Sequence, residues 1–386
     1  MKVCLVTGVF PPQRCGIGDY TECLARHLAQ QGVDVHVVTS CHHAESEPLI
    51  FRLHRVVPHW RMLGIIRLIP TLRRIAPDVV HMQYPSAGFV RALALVLVPG
   101  LLRLARLRVV LTLHEYRISR WTGRLRQLAM ACAAHRVITT NDDDHACLRS
   151  MLFWKRKHLH HIGIGANIEP GMLENFNRDS RRQTLGADPH SLVICFFGNI
   201  HPAKGIEDLV DAFTIICKTV ANTRLVIIGS SDPANTLFAS SLRRKIIDAC
   251  LADKVHISGF VSKQEVSELL LASDMCVLPF RDGISMRRGS FLAAVKHGLP
   301  VVTTLSDSAP PSHLVDGENV VFVSPGDVEK LAESIQMLAQ SPEVYVKLKK
   351  NVAVLGEQFS WAEIARQTLQ VYQGVCTLPS EREGAA

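Results

Sequence analysis

Short apolar runs alternate with longer amphipathic stretches along the first half of the chain. Runs rich in Val, Ile and Leu lie at residues 3–8, 33–39, 79–82, 109–113 and 137–140, with segments long enough for helices between them. Such runs are typical of parallel strands that are covered on both faces. A glycine loop at residues 16–19 and an amphipathic stretch at residues 20–31 follow the first run. The pattern therefore predicts a strand, loop and helix series of the α/β class.

A second series of the same kind begins after the polar stretch at residues 177–190. We predict strands at residues 192–197, 224–228, 255–257, 275–278, 300–303 and 320–322, and helices at residues 206–218, 263–272 and 327–339. A chain of 386 residues, 47% of them hydrophobic, can bury two ordinary cores and is long for one. We therefore expect two Rossmann-like α/β domains.

The positive charge of the chain is concentrated in one segment. The net charge is +8, and residues 48–114 contain ten arginines, no lysine and one acid, Asp78, which gives +9 for that segment. Arg61, Arg67, Arg73 and Arg74 alternate with apolar residues there, a pattern that suits a helix on an anionic membrane surface. An ordinary domain helix with a solvated face is the alternative. Because few aromatic residues accompany the arginines, we expect no nucleic-acid partner.

The remaining composition indicates the compartment and excludes several kinds of site. The longest uncharged apolar stretch, residues 92–102, is too short for a membrane span of about 20 residues. Eleven cysteines without a CxxC pair favour buried thiols in a reducing compartment over disulfides or a zinc site. The first residues lack a secretory cleavage site, so we expect the mature chain to begin at or near Met1. We expect a cytoplasmic protein, with peripheral association at the inner face of the plasma membrane as the membrane alternative.

Residues 142–144 have the Asp-x-Asp spacing with which some enzymes bind Mg²⁺. They follow a predicted strand and precede an apolar helix, so capping of that helix is the favoured interpretation. We therefore expect no metal site and no cofactor.

Two loops of the second half are candidate anion sites, because open parallel sheets bind ligands beyond the carboxyl ends of their strands. In the first loop, Gly198 and Asn199 follow a predicted strand, and Lys204 precedes a helix. A lysine there can reach a phosphate, although a solvent-facing lysine is the alternative. The second loop combines small residues, which let a ligand approach the backbone, with two guanidinium groups. Its residues are Gly283, Ile284, Ser285, Arg287, Arg288, Gly289 and Ser290.

Several segments together resemble the retaining glycosyltransferases of family 4, which have the GT-B fold. They are GIGDYT, GNIHPAKGIEDLVDAF, SGFVSKQEVSELLLASDMCVLPF, HGLPVVTT and FSWAEIARQTLQVY. The resemblance covers about residues 1–374. It implies two facing Rossmann-like domains with parallel sheets and a cleft between them. It also implies an acceptor-side domain at residues 1–180, a nucleotide-sugar-binding domain at 181–360 and a helix at 361–375 that crosses back. The composition of residues 376–386, with Pro, Ser, charges and a Gly-Ala-Ala end, predicts a disordered tail.

The resemblance also assigns roles to particular residues. It implies that the amides of Gly16 and Gly18 face the donor and that His114 contacts the transferred sugar. It implies that Lys204 binds the diphosphate and that Phe260 and Val261 lie against the nucleobase. The implied reaction transfers a hexose-type unit from a nucleoside-diphosphate sugar to a lipid-linked or polysaccharide acceptor, with retention and without a metal.

The sequence departs from the family pattern at two places. Asn199 occupies the position where most relatives carry arginine, and the two glutamates of the family fall on Ser285 and Ala293. We interpret Arg287 and Arg288 as replacing the lost cation, so the expected catalytic residues are His114, Lys204 and these two arginines. The alternatives are a non-catalytic GT-B scaffold and a sugar-nucleotide epimerase or hydrolase on the same fold.

Overall fold

A computed structural model describes residues 1–13, 15–41, 49–60, 67–89, 93–117, 119–171, 176–231, 235–306 and 310–377. The chain divides into two compact units. The first unit comprises Met1–Gly165 and the C-terminal segment that begins at Trp361, and the second comprises Ala166–Ser360. Within the described ranges, no helix combines the length and apolar character needed to cross a bilayer.

The first unit contains a seven-stranded parallel sheet with the order β3-β2-β1-β4-β5-β6-β7. Its strands are β1 Lys2–Val6, β2 Asp34–Ser40, β3 Arg52–Val57, β4 Val79–Tyr84, β5 Arg108–Leu113, β6 Arg136–Thr139 and β7 Leu159–His161. The five predicted strands are present, whereas the edge strands β3 and β7 were not predicted. Strand β3 carries Arg52, His54 and Arg55 and is mostly half-exposed, because an edge strand needs no continuous apolar run.

Six α-helices accompany this sheet in the described part of the first unit. They are α1 Gly16–Gln30, α2 Leu68–Ile75, α3 Val98–Leu104, α4 Trp121–Ala133, α5 Asp142–Met151 and, from the C-terminal segment, α13 Trp361–Cys376. Helix α1 begins at Gly16, so the predicted glycine loop at residues 16–19 is its first turn. A Cβ on Gly18 would lie 3.0 Å from the carbonyl oxygen of Val9. Glycine is therefore used there for the close approach of a helix to the preceding loop.

Helix α2 is the described part of the predicted arginine-rich helix. Leu68, Leu72 and Ile75 are buried in a core cluster of the first unit, whereas Arg73 and Arg74 are exposed. The described part of the segment therefore packs as a domain helix with a solvated arginine face, and contact of these arginines with an anionic membrane surface stays a prediction. Residues 61–66 of the same prediction lie outside the described residues.

The second unit contains a six-stranded parallel sheet with the order β10-β9-β8-β11-β12-β13. Its strands are β8 Leu192–Phe197, β9 Thr223–Ile228, β10 Val255–Ile257, β11 Met275–Leu278, β12 Val301–Thr304 and β13 Val321–Val323. All six were predicted, each within one residue of its observed ends. Most of these strands contain a short apolar run that is easily recognised, although β10 carries the exposed His256 between Val255 and Ile257.

The helices of the second unit are α6 Arg178–Thr184, α7 Ile206–Thr219, α8 Thr236–Asp248, α9 Lys263–Ala272, α10 Gly289–Lys296, α11 Val328–Gln340 and α12 Pro342–Glu357. Both sheets thus share the order of a dinucleotide-binding fold, and the predicted α/β class is confirmed. The boundary between the units lies after Gly165, whereas residue 180 was predicted. Helix α6 explains the difference, because Arg178 and Arg182 pair with Asp274 of the second unit at 2.6 and 3.2 Å. The predicted tail lies, from residue 378 onward, outside the described residues.

Candidate functional site

The strand order of the second unit reverses between β8 and β11. Strands β9 and β10 lie on one side of this pair, and β12 and β13 lie on the other. The loops that leave two such strands turn in opposite directions and open a crevice between them, where open α/β sheets bind ligands. At this point the two loops are residues 198–205, after β8, and residues 279–288, after β11.

Gly205 joins the two loops backbone to backbone. Its φ angle is +66°, and a Cβ there would overlap the carbonyl oxygen of Pro279. The amide of Arg281 donates a hydrogen bond of 3.1 Å to the carbonyl of Ala203. The backbone at Lys204 is therefore fixed between a position that requires glycine and a loop-to-loop hydrogen bond.

Lys204 and Arg288 contact the same aromatic ring. The Lys204 Nζ lies 5.1 Å and the Arg288 Cζ lies 4.3 Å from the ring centroid of Phe280, whose side chain is fully buried. Both distances are within the range of a cation–π contact. Burial lowers the pKa of Lys204 and the charge of Arg288 lowers it further, whereas Asp282 raises it. The positive charges of Lys204 and Arg288 repel each other, so a bound anion would stabilise both side chains at this position.

The arginines of the second loop retain buried hydrogen-bond donors that no described residue uses. Arg288 forms a close ion pair with Asp282 and donates to the carbonyl of Gly283 at 3.3 Å, but its Nε is buried without a partner. The Nη1 of Arg287 is also buried without a partner in the described chain. A buried donor that stays unpaired costs about 1–3 kcal/mol. These donors are therefore suited to a ligand with oxygen acceptors.

The small residues of the second loop shape its backbone. Gly283 is buried at φ +78°, and a Cβ there would lie 2.9 Å from the amide of Ser306. Ile284 donates its amide to Thr304 at 2.8 Å, and the carbonyl of Ser285 accepts the amide of Arg288 at 3.0 Å. This turn leads into α10, which begins with Gly289 and Ser290 and has no side-chain cap. The first amides of α10 therefore lie directly after the two arginines.

The other predicted residues of the second unit lie along the same sheet edge. Gly198 has φ +148° and donates its amide to Ile228 at 3.0 Å, and Asn199 is exposed. Phe260 and Val261 follow β10, which is two strands from β8 and so about 10 Å away. Phe260 is 78% exposed. The structure thus brings Lys204 and Arg288 together and leaves Phe260 farther along the edge, and its contact with a base stays a prediction.

His114 follows β5 in the first unit, and its imidazole contacts Gln83 and Tyr20. Its Nε2 lies 3.0 Å from Oε1 of Gln83, and the edge of Tyr20 packs on its ring at 4.8 Å between centroids. Burial lowers the pKa of His114 to about 3. The imidazole is therefore neutral at neutral pH. With Gln83 Oε1 as the acceptor, Nε2 donates and Nδ1 keeps its lone pair.

A buried polar chain continues behind His114. The Nδ1 of His81 lies 2.6 Å from the hydroxyl of Tyr372, and its Nε2 lies 2.6 Å from the hydroxyl of Thr112. The Nε2 of Gln83 approaches the His81 ring at 3.2 Å. Sequence reasoning missed these residues. The signal was available, because His81 and Gln83 interrupt the apolar run VVHMQY of a strand whose residues are all buried.

Asp144 fixes the loop that follows His114. Its carboxylate accepts the amides of Tyr116 and Arg117 at 2.9 and 2.8 Å. Asn141 caps α5 by accepting the amide of Asp144 at 2.8 Å, so the predicted capping at the Asp-x-Asp stretch is confirmed. Among the residues that the structure describes, no group of three or more His, Cys, Asp or Glu side chains is arranged to hold a metal ion.

Gly16 and Gly18 lie in the first turn of α1, the helix that also carries Tyr20. Because Tyr20 contacts His114, the first turn of α1 and His114 lie at one edge of the first sheet. No heavy atom would lie within 4 Å of a Cβ on Gly16. This leaves room beside the helix start, and the contact of its amides with a donor stays a prediction.

Replacing His114 with glutamine is expected to make the free energy of unfolding fall less when the pH is lowered. An unfolded histidine has a pKa of about 6.5, so between this value and about 3 the unfolded chain binds more protons at this position. The free energy of unfolding therefore falls as the pH falls. Going from pH 7 to pH 5, the variant should lose about 2 kcal/mol less than the parent, as measured by urea unfolding at both pH values. The exposed His190 provides the control His190→Gln, and equal losses in His114→Gln and parent would contradict the buried neutral state.

Known protein families match both units. The family model described as "Glycosyl transferases group 1" matches residues 191–341, and the "Glycosyl transferase 4-like domain" matches residues 15–165. The alpha-monoglucosyldiacylglycerol synthase of Acholeplasma laidlawii is 22% identical over an alignment of 402 positions, which covers 96% of each chain. The mannosylfructose-phosphate synthase of Agrobacterium fabrum is 26% identical over 231 residues, 58% of this chain and half of that protein.

A solved structure of similar fold covers nearly the whole chain. It is the Anabaena protein HepE in complex with UDP, with a TM-score of 0.75 and 18% identity over 97% of this chain and 100% of that one. At this identity the likeness shows the fold. Together with the two family matches, it places the chain among the group 1 glycosyltransferases of family 4, enzymes with the GT-B fold.

Proposed function

We propose that this glycosyltransferase moves a hexose-type unit from a nucleoside-diphosphate sugar to a lipid-linked or polysaccharide acceptor, with retention of configuration and without a metal. The observation that carries the proposal is the pairing of Lys204 and Arg288 on the ring of Phe280 at the switch point of the second sheet. Two cations that are held together, with buried donors unused, suit the four or more anionic and polar oxygens of a diphosphate.

The chemistry of the leaving group supports this assignment. Breaking a sugar–diphosphate bond develops positive character on the sugar ring and negative charge on the phosphate. Cations that are already in place stabilise that charge without reorganisation. In this proposal Lys204, Arg287 and Arg288 stabilise the departing diphosphate, and the uncapped amides at the start of α10 add a partial positive charge.

His114 has a different role in the proposed reaction. Because burial keeps the ring neutral, His114 offers hydrogen bonds rather than charge and positions the sugar or the acceptor hydroxyl. With retention, the hydroxyl attacks from the face that the phosphate leaves. The hydroxyl oxygen bonds to the anomeric carbon as the bond to the phosphate oxygen breaks, and the released phosphate takes the hydroxyl proton.

The relatives support the substrate classes. HepE was solved with UDP, which supports a nucleotide-containing donor. The name of the Acholeplasma relative denotes a synthase of a glucosylated diacylglycerol, which supports a lipid-linked acceptor. The relatives also favour sugar transfer over the scaffold and the epimerase or hydrolase alternatives.

Replacing Lys204 with alanine is expected to weaken binding of nucleoside diphosphates about 10- to 100-fold, because a hydrogen bond to a charged group contributes about 1.5–3 kcal/mol. Binding of the matching nucleoside should change little. Isothermal titration with UDP, GDP and ADP and with the three nucleosides measures both. Lys218→Ala removes an exposed lysine of the neighbouring helix and serves as the control. An equal loss for diphosphate and nucleoside would remove Lys204 from the phosphate site.

A coupled assay for nucleoside-diphosphate release distinguishes the alternatives. Release that depends on an added lipid or glycan acceptor supports transfer, and release without acceptor supports hydrolysis. Tight nucleotide binding without any release supports the scaffold.

A further inference from the structure

Four polar side chains lie on one face of two neighbouring strands of the first sheet. His81 and Gln83 are two residues apart on β4. Thr112 lies on β5, and His114 directly follows that strand. Side chains two residues apart on a strand lie on the same face, and Gln83 and Thr112 are register partners across the two strands. All four residues are at most 6% exposed, so they form one buried polar cluster that ends at His114.

The ring of His81 is bonded at both of its nitrogens. Its Nδ1 lies 2.6 Å from the hydroxyl oxygen of Tyr372 on α13, and its Nε2 lies 2.6 Å from the hydroxyl oxygen of Thr112. The ring therefore cannot turn without breaking a buried hydrogen bond. Burial, and to a smaller extent the neighbouring His114, lowers the pKa of His81 to about 3. The ring of His81 is therefore neutral at neutral pH.

The side-chain amide of Gln83 lies over the face of this ring. Its Nε2 is 3.5 Å from Nδ1 and 3.2 Å from Nε2 of His81. Similar distances to both ring nitrogens place the amide nitrogen above the ring and not in line with either lone pair. The face of a neutral aromatic ring is its negative side, so it favours the N–H groups of an amide over the carbonyl oxygen. The Oε1 of Gln83 is thereby directed to His114, where it lies 3.0 Å from Nε2.

A second contact holds the ring of His114 in place. The edge of Tyr20 packs on it at 4.8 Å between centroids, and Trp361 packs on Tyr20 at 5.1 Å. Trp361 is the first residue of α13, the helix that also carries Tyr372. When the position of a neutral imidazole is held, the remaining choice is which of its two nitrogens carries the proton.

We propose that His81 selects the tautomer of His114 through the amide of Gln83. His81 acts as a positioning residue, because Tyr372 and Thr112 hold its ring under that amide. The Nε2 of His114 carries the proton and donates to Gln83, and Nδ1 keeps a lone pair that accepts a hydrogen bond from a substrate hydroxyl group. The inference rests on the proposed function for the identity of that hydroxyl group, which belongs to the transferred sugar or to the acceptor.

Nuclear magnetic resonance measures the tautomer of His114 without using activity. Long-range proton–nitrogen correlation spectra of the nitrogen-15-labelled full chain distinguish protonated from unprotonated ring nitrogens. The signals that disappear in His114→Gln assign the residue. The parent at neutral pH should show a protonated Nε2 and an unprotonated Nδ1. A protonated Nδ1 in the parent would overturn the proposal, and this measurement needs no variant of His81 or its partners.

Two substitutions of Thr112 separate the hydrogen bond from packing. Thr112→Val keeps the volume of the side chain and removes the hydroxyl group that His81 contacts, whereas Thr112→Ser keeps the hydroxyl group and removes a methyl group. Thr112→Val should lower kcat/KM about three- to tenfold, the effect of one hydrogen bond, and should add a second His114 signal with a protonated Nδ1. Thr112→Ser should keep the spectrum and the kinetics of the parent. A larger loss in Thr112→Ser than in Thr112→Val would indicate packing alone and overturn the role of His81.

Tyr372→Phe removes the other hydroxyl group at the His81 ring and should act as Thr112→Val does. Tyr345→Phe is the matched control, because it removes a hydroxyl group that donates to the carbonyl of Asp274 in the second unit at 3.0 Å. Its spectrum and kinetics should equal those of the parent. An unchanged tautomer in folded Thr112→Val and Tyr372→Phe, with melting temperatures as the check, would also overturn the proposal. A parent without transfer activity whose His114 is protonated at Nε2 would contradict the proposed reaction and still support the tautomer.

Discussion

The replacement of Arg288 by alanine is expected to lower kcat/KM for sugar transfer by about 10²- to 10³-fold, the usual cost of removing one donor that stabilises charge in a transition state. The guanidinium group of Arg288 lies 4.3 Å from the Phe280 centroid and keeps a buried, unused Nε. Its ion-pair partner Asp282 is 66% exposed, so the unpaired carboxylate of the variant would be solvated. The loss should therefore appear in turnover and not in stability.

Two further variants make this result specific. Arg288→Lys keeps the charge but not the planar donor set, so it should restore only part of the activity. Arg244→Ala removes an arginine of the second unit that is 79% exposed and pairs with Asp248 at 3.5 Å, and it should have no effect. Steady-state kinetics with thermal melts as a folding check suffice. Full activity of Arg288→Ala in a folded protein would contradict the proposed diphosphate site.

The replacement of Gly205 by alanine is expected to lower the free energy of unfolding by at least about 3 kcal/mol, more than most single substitutions. Two costs combine at this position. The φ angle of +66° disfavours any residue with a Cβ by about 1–2 kcal/mol. The added Cβ would also overlap the carbonyl oxygen of Pro279, so the loops after β8 and β11 would have to separate. Urea unfolding of parent and variant measures the change.

Gly298 provides a matched control for the cost of placing a Cβ at a positive φ angle. Its φ angle is +67°, but no heavy atom would lie within 4 Å of its Cβ. Gly298→Ala should therefore cost only about 1–2 kcal/mol. The difference between the two variants measures the close approach of the two loops. Equal costs would mean that the loops yield easily and do not fix Lys204.

The two halves of the chain differed in how well the sequence predicted them. The strands of the second sheet were predicted within one residue because most of them contain an apolar run bounded by turns. In the first sheet, β3 and β7 were missed, because basic residues and histidines dilute their apolar pattern. The boundary between the units was misplaced because the pairing of Arg178 and Arg182 with Asp274 joins positions more than 90 residues apart.

The candidate site of the second unit was predicted in part. Lys204 and Arg288 were found because each lies in a glycine-containing loop between a strand and a helix. Phe280, which both cations contact, and Asp282, which pairs with Arg288, were not found. Both belong to the stretch LPFRDG, where an aromatic residue and an acid look like ordinary loop residues.

His114 was identified from the resemblance, but its electrostatic state was not. The sequence shows a histidine after a strand, and the structure shows Gln83 at 3.0 Å and a pKa of about 3. That value results from burial by residues that are distant in the chain, including Tyr20 of α1. The structure therefore adds that His114 is a neutral hydrogen-bonding group.

The sequence by itself determined the α/β class, the second sheet and the loops that carry the cations. These features depend on the periodicity of apolar residues and on the glycines at the ends of strands and helices, which are local properties of the chain. The tertiary structure alone decided that Lys204 and Arg288 meet on one ring, that the leucines of α2 face inward, and that Leu101 and Leu104 of α3 are exposed while Leu102 is buried. These facts depend on which strands are neighbours and on which side of an element is covered. Residues that are distant in the sequence become neighbours only when the chain folds, so no local sequence pattern predicts these contacts.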